Sequence, residues 1–474
     1  MLASRRLATV LSVLFLVGAC SSAATPAPAA STAPAASTAP AASTAPAAST
    51  AAGTSAATLG PGPETGTVNL TLSGGYPEMD AVYKQAAAAY HQLHPNVTIS
   101  VTPAPDLRSY EQKLLTCLPT KSCTDIVIRT VPIVAPFIDQ GLLAAPPDWL
   151  TTFIKGGAFD PFSVQNVSYK GQVWGTPIFL GENAIFYNKD MFAAAGLQPP
   201  TTMDEIIADA TKLAQRDANG NVTRSGLSLR LSGQGSGVAE KFWMFLMQYG
   251  TPQQPIGILT KTADGKYHAD YANAAGVNVL EMYVNMINKP PLVDDTKIAS
   301  DSAAFEQGKT AMFARESWVI GDIAKNAPTL NYGTVPMPTT SLHSPEAMFV
   351  TKASPHQQTA FDFLYFLEQL PQQQSIATIS GWVPARLDLD YSALIQQQPA
   401  WAAFFDKDPA YQAGYQTDYP LPEWDEIETK LADHLVSAYT NKSLVDNPSG
   451  ALSLLQQFAN ESNSILKQHN DYGQ

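Results

Sequence analysis

Apolar residues alternate with polar ones at 68–72 (VNLTL) and again at 97–101 (VTISV), the period-2 signature of strands, and 125–129 (DIVIR) reads as a further strand. Between them, 78–93 and 108–118 carry helical spacing, and Pro95 stops the first. Thr202-Met-Asp-Glu205 reads as a capping box that opens a helix to about residue 215. A strand is expected over 226–231 and helices over 238–249 and 274–288, the last stopped by Pro290-Pro291. After residue 355 the pattern is mostly helical: 356–370, 372–379, 425–440 and 449–468. Strands alternating with helices of this length predict βαβ units on a parallel sheet. The fold class is therefore α/β, with one α/β lobe, a second lobe carrying extra helices, and several crossings between them.

The two ends of the chain differ from this text. Arg5 and Arg6 precede an apolar run over 7–17, which closes on Val17-Gly18-Ala19-Cys20. The run is shorter than the roughly 20 residues a helix needs to span a bilayer, so it reads as a cleaved export signal. Cleavage near Ala19 or Ala24 by an ordinary signal peptidase, and a twin-arginine route through Ser4-Arg5-Arg6, are the other readings. Residues 27–50 are four copies of Ala-Pro-Ala-Ala-Ser-Thr within a tract from Ser21 to about Gly66. With almost no charge and no large apolar residue before Leu59, the tract cannot bury a core and is expected to be a disordered tether. Its coil length is on the order of 35–40 Å.

Roughly 400 residues remain, more than one ordinary core accommodates. The net charge of −13 excludes nucleic acid and anionic lipid as natural partners and leaves neutral ligands open. Cys117 and Cys123, in CLPTKSC, read as a small disulfide loop of an exported protein; further metal ligands and a Cys-x-x-Cys are lacking.

Enzymatic signatures are sparse. There is no H-E-x-x-H and no G-x-S-x-G. Ser464-Ile-Leu-Lys467 lacks companion motifs. Gly233-Gln-Gly235-Ser-Gly237 misplaces the third glycine of a dinucleotide loop and reads as a tight turn before a helix facing a cleft. Asp217-Ala-Asn219-Gly-Asn221 lacks the closing acid of a calcium loop and reads as a turn. No cofactor and no metal are expected. Trp243, Trp318, Trp382 and Trp424 fall at predicted element ends, with Glu240, Arg386 and Glu423 close by. Core packing is the bland reading of any one tryptophan. Flat aromatic faces beside charged groups are also what a sugar requires, for its C–H surfaces and its hydroxyls.

An ordered set of motifs resembles the family 1 extracellular solute-binding proteins. It comprises Gly171-Gln-Val-Trp-Gly175-x-Pro177, Ile185-Phe-Tyr187-Asn188-Lys189-Asp190, Gly196-Leu197 and Pro200-Thr201-Thr202-Met-Asp-Glu205. It continues through Phe305-x-x-Gly308-Lys309-x-Ala311-Met312 with Trp318, then Asn331-Tyr332-Gly333, Gly381-Trp-Val-Pro384 and Pro422-Glu-Trp424. In this light Val17-Gly18-Ala19-Cys20 resembles a lipobox, with Cys20 the lipidated residue on the outer face of the cytoplasmic membrane. The resemblance implies a two-lobed, maltose-binding-protein-like fold that closes on its ligand, works as a monomer and delivers it to ABC permease subunits. It implies crossings near residues 180, 298–302 and 343, hence a first lobe of 67–179 plus 302–343 and a second of 180–301 plus 344–474.

Carried over by position, Trp318, Trp382 in the Gly381 loop, and Trp424 would stack on the sugar. Glu182 and Asn183 would supply polar contacts, as would Tyr76, Arg129 and Thr130 at strand ends of the first lobe. Glu240, Trp243, Arg386 and Glu423 complete the candidate ligand set. Arg129 departs from the neutral or aromatic residues common at its position and leaves an anionic ligand, such as a sugar phosphate, open. No catalysis is expected. The competing reading from another class is a carbohydrate-active enzyme using two carboxylates, such as Glu182 and Glu423.

Overall fold

A computed structural model describes residues 60–231, 237–298, 300–405 and 408–474. The leader, Cys20 and most of the tether lie outside the described residues. Strands β1 (Val68–Ser73), β2 (Val97–Thr102) and β3 (Ile126–Ile128) alternate with helices α1 (Asp80–Leu93) and α2 (Leu107–Cys117). As expected, β1 runs parallel to both neighbours, with Val68 opposite Val97 and Leu72 opposite Ile126. Cys117, at the end of α2, is bonded to Cys123. Helix α3 (Val131–Asp139) follows β3, and the short α4 (Pro161–Asn166) starts on an Asp160 cap whose carboxylate accepts from Ser163 N.

The strand that organises the molecule is β4 (Thr176–Asn188), all of whose thirteen residues are buried. Its first half pairs with β8 (His343–Thr351), Glu182 lying opposite His343. Its second half pairs with β6 (Thr310–Glu316) and β7 (Tyr332–Pro336), Asn183 lying opposite Glu316. Strand β6 in turn lies parallel to β5 (Val222–Ser228). The expected strand at 226–231 therefore sits earlier. The chain leaves the sheet after Ser228 because Leu229 N donates to the Asp294 carboxylate instead.

Helix α5 (Met203–Leu213) begins on the predicted box, with Thr202 Oγ1 accepting from Glu205 N at 3.2 Å and the Glu205 carboxylate accepting from Thr202 N. Helices α6 (Gly237–Leu246), α7 (Ala274–Asn288), α9 (Trp424–Tyr439) and α10 (Pro448–His469) build the second lobe, while α8 (Gln357–Leu367) packs in the first. Among the described residues no helix is long and apolar enough to cross a membrane.

Beside a third cluster that unites Phe186, Phe305, Phe313, Tyr332 and Trp401, two clusters of buried side chains define the lobes. One unites Leu70, Tyr83, Ile128, Phe179, Phe349 and Phe363; the other unites Ile185, Leu227, Phe242, Trp243, Met312 and Leu435. This partition corrects the expected boundaries. Residues 302–343 do not join the first lobe, because β6 and β7 bond to the second half of β4 and Ala311, Met312, Ala314 and Met337 pack in the second core. Ala347 to Trp382 pack in the first core instead, and the chain is back in the second by Leu421 and Trp424. There is accordingly no crossing at 298–302. The crossings lie at 182–183, near 343 and between residues 382 and 421.

The expected tether is also shorter than drawn. Gly62 N donates to Asp362 and the Glu64 carboxylate takes His356 and the Thr359 hydroxyl, fixing this segment on α8. The Asp217 carboxylate accepts from the backbone of Asn219 and Asn221, which makes that segment a turn. Gly233 and Gly235 lie outside the described residues.

Candidate ligand-binding site

Side chains on successive strand residues point to opposite faces, and here that alternation builds a cleft where the crossing strands meet. Phe179, Gly181 and Asn183 of β4, with Leu342, Ser344 and Glu346 on and beside β8, line a cavity of about 920 Å³. The loop after β1 adds Tyr76, the end of β3 adds Arg129, and α2 adds Glu111. The second lobe contributes Glu240 and Lys241 from α6, Arg315 and Glu316 from β6, then Trp318, Asp418 and Asp425. Trp382 also lines it, as do Glu78, Arg108 and Arg230.

Aromatic rings form one part of this surface. The Trp382 ring lies 4.8 Å from Phe179 and 6.4 Å from Trp318, with Tyr76 edge-on at 5.6 Å. Gly381 holds the loop against Trp318: its φ is +81°, and a Cβ there would lie 2.9 Å from the Trp318 backbone. Gly381 thus supports the site without lining it.

Charge is arranged in two knots. On the first lobe, Arg129 bonds Glu111 and Glu346, each at 2.7 Å, and Tyr76 donates its hydroxyl to Glu346. Burial, opposed by Arg129, pushes the Glu346 carboxyl up to about 7. On the second lobe, the Lys241 ammonium donates to Asn183 and Glu316, both at 2.7 Å, while Arg315 bridges Asp301 and Glu316. Burial works against the charged Glu316, yet Lys241 and Arg315 outweigh it and hold the carboxyl well below its usual range. Trp318 Nε1 donates to the same carboxylate at 3.2 Å, which fixes the indole with the Arg315 guanidinium 5.4 Å from its ring.

Of the candidates read from sequence, Tyr76, Arg129, Asn183, Glu240, Trp318 and Trp382 come together here. The others are placed elsewhere. Glu182 lies on the opposite face of β4, close to His343, whose Nε2 is 3.1 Å from Asp160 and whose ring stacks on Tyr415 at 4.5 Å. Burial disfavours the imidazolium, but Asp160 and Glu182 outweigh it and raise His343 to about 9. Thr130 is buried at the start of α3. Arg386 is held by Asp388 and the Glu368 carbonyl beneath the first lobe, its guanidinium over Phe153 and Phe159. Glu423 precedes the first residue of α9 without a capping hydrogen bond from its side chain, and lies near Asp471. Trp243 and Trp424 pack edge-on at 5.5 Å in the second core, where Tyr419 stacks on Trp243. Trp424 still serves the cleft indirectly, since its Nε1 donates to Asp418.

The sequence reading missed Phe179, Glu346, Lys241, Arg315, Glu316 and Asp418. Glu346 directly precedes the apolar run Ala347 to Val350, and Glu316 closes a strand after the apolar run Ala311 to Ala314; acids beside buried runs need pairing, and that was the available signal.

The fold is shared with known proteins. The bacterial extracellular solute-binding family matches residues 85–403, and the chain belongs to that family. A putative binding protein of Brucella abortus is 23% identical over 418 residues, covering 85% of this chain and 94% of its own. The diacetylchitobiose-binding protein DasA of Streptomyces coelicolor is 25% identical, covering 63% of this chain and 66% of its own. Among solved structures, the GacH receptor of Streptomyces glaucescens, known unliganded and with acarbose, superposes with a TM-score of 0.68 at 20% identity, covering 86% of this chain and all of that one.

Proposed function

We propose that this protein is the substrate-binding receptor of an ABC importer, that it takes a sugar or short oligosaccharide between its lobes, and that it catalyses no reaction on it. The observation that carries this reading is the pairing of an aromatic patch (Tyr76, Phe179, Trp318, Trp382) with dense hydrogen-bonding groups across one cleft. Its volume of about 920 Å³ falls in the range of small-molecule sites. DasA and GacH, whose names and complexes concern diacetylchitobiose and acarbose, support the sugar class. Closure would be a hinge motion about the crossing strands β4 and β8. Cys20 would carry the lipid anchor, with the following tract as tether to the outer face of the membrane, and the receptor would act as a monomer.

Two competing readings lose their footing. Arg129, the reason to expect an anion, is already paired with two carboxylates. Glu182 and Glu423, the acids offered for glycoside hydrolysis, do not line the cleft.

Calorimetry and tryptophan fluorescence with mono-, di- and trisaccharides test the proposal. Saturable binding of a sugar without turnover is expected; binding of a peptide or a metal, with no sugar bound, would overturn it.

A further inference from the structure

The rings that line the cleft are not held alike. Trp382 packs against Phe179 and Tyr76, whereas Trp318 owes its place to ionic groups behind it. Those groups form an unbroken chain. The Lys241 ammonium donates to the Glu316 carboxylate at 2.7 Å, the Arg315 guanidinium lies 3.4 Å from the same carboxylate, and its Nε pairs with Asp301 at 3.2 Å. Arg230 and Glu240, which also line the cavity, add one charge of each sign beside the chain. Cations and carboxylates thus offset one another here, which suits holding side chains in place and not the capture of an ion.

Asp301 is the outer member. It opens the short helix Asp301–Glu306, whose Phe305 packs with Phe186 and Phe313 in the third cluster, so its position is set by apolar packing away from the ligand. It is only 6% exposed, and it is absent from the cleft lining among the described residues.

The chain fixes two groups that do face the cleft. At Glu316, Trp318 Nε1 donates to the carboxylate at 3.2 Å, and the Arg315 guanidinium stands over the indole, 5.4 Å from its centroid. A cation over one face leaves the opposite face to stack on a sugar. At Lys241, the ammonium also donates to Asn183 Oδ1 at 2.7 Å. A carboxamide whose oxygen takes an ammonium must turn its NH2 the other way. Asn183 lines the cavity, and its Nδ2 donates to nothing among the described residues.

Resting on the sugar-receptor reading above, we infer that Asp301 is a positioning residue of the site. Through Arg315 and Glu316 it presets the Trp318 ring, and through Lys241 it orients Asn183 so that N–H donors, not a carbonyl, meet a sugar oxygen. Without Asp301, Arg315 is released from one of its two carboxylates, and the ring must then be ordered at the expense of binding.

The test joins a ligand-free readout to a ligand-dependent one on the mature chain. In protein labelled with 5-fluorotryptophan, the fluorine resonance of Trp318 is the one lost in Trp318→Phe. In Asp301→Asn that resonance should shift or broaden while those of the core residues Trp243 and Trp424 stay in place. Calorimetry then uses glucose and N-acetylglucosamine di- and trisaccharides. Asp301→Asn should weaken the tightest of these about fivefold. Placed in a Trp318→Ala background, the same substitution should cost no more than about twofold, because members of one network do not add. A Trp318 resonance that does not move, or an equal loss of affinity in both backgrounds, would overturn the inference and leave the sugar reading standing. No sugar bound by the unmodified chain would overturn the sugar reading, and the resonance alone then decides whether Asp301 sets the ring. Should Asp301→Asn fail to fold, as its melting curve would reveal, Arg315→Lys replaces it. That variant keeps the charge but cannot bridge two carboxylates as a guanidinium does, and the same shift and the same non-additive loss are expected of it.

Discussion

Trp243 and Trp424 have the same kind of sequence neighbours as Trp318 and Trp382, yet the two pairs have opposite fates. The first pair is sealed in the core of the second lobe, Trp243 beneath Tyr419 and against Trp424. The second pair lies at the meeting of the lobes, where Trp318 is only partly buried and Trp382 lines the cavity. Charge beside a tryptophan in the sequence does not distinguish them, because it stands beside both. What distinguishes them is whether the ring borders the cleft: Trp382, though packed in the first core, still lines the cavity with Trp318, and that placement is set by elements distant in the chain.

The sharpest break of this comparison is Trp243→Ala. Truncating a fully buried tryptophan should cost ~3–5 kcal/mol of stability, visible as a lower melting temperature, while the folded fraction keeps its ligand affinity. A loss of affinity at unchanged melting temperature would reverse the assignment of the two pairs. Next in size is Glu316→Gln, which leaves Lys241, only 3% exposed, without its carboxylate. Removing one partner of such a pair costs about 3 kcal/mol, toward the low end for buried pairs, since Asn183 still accepts from the ammonium. Chemical denaturation measures it, and a change under 1 kcal/mol would show that the pair is not structural.

Trp318→Ala should lower sugar affinity by about tenfold or more, equivalent to ~1.4 kcal/mol, with a smaller effect on melting than Trp243→Ala. Unchanged affinity would leave Trp318 as structure. Gly381→Ala acts on the same ring from behind. A side chain at positive φ costs ~1–2 kcal/mol, and the added Cβ must displace the Trp318 backbone. Both stability and affinity should fall together, whereas a loss of stability alone would separate Gly381 from the site.

The last prediction concerns the face of β4 and β8 turned away from the cleft. His343 is raised from 6.5 to about 9 in the folded protein. Its pairing with Asp160 therefore stabilises fully below about pH 6.5, and the contribution fades as pH rises through about 9. The stability difference between the natural chain and His343→Gln should shrink over that interval. A difference independent of pH would mean the imidazole acts through packing alone.

The α/β class, the helices after residue 355 and the α5 cap were legible in the sequence because each depends on local spacing and short-range hydrogen bonds. The ordered motifs likewise pointed to the family, and Cys117 to its partner Cys123 six residues away. The lobe boundaries were not legible. The strand β4 is buried along its whole length, so its sequence carries no alternation to mark where it changes partners between Glu182 and Asn183. Neither was the site. Glu182 and Asn183 are adjacent in sequence, yet the pleat sends one toward His343 and the other into the cleft beside Lys241. Arg129 meets Glu346 across 217 residues and Trp318 meets Trp382 from different segments. Sequence spacing governs what neighbours along the chain can do; which distant side chains share a face is decided only when the strands pair and the lobes pack.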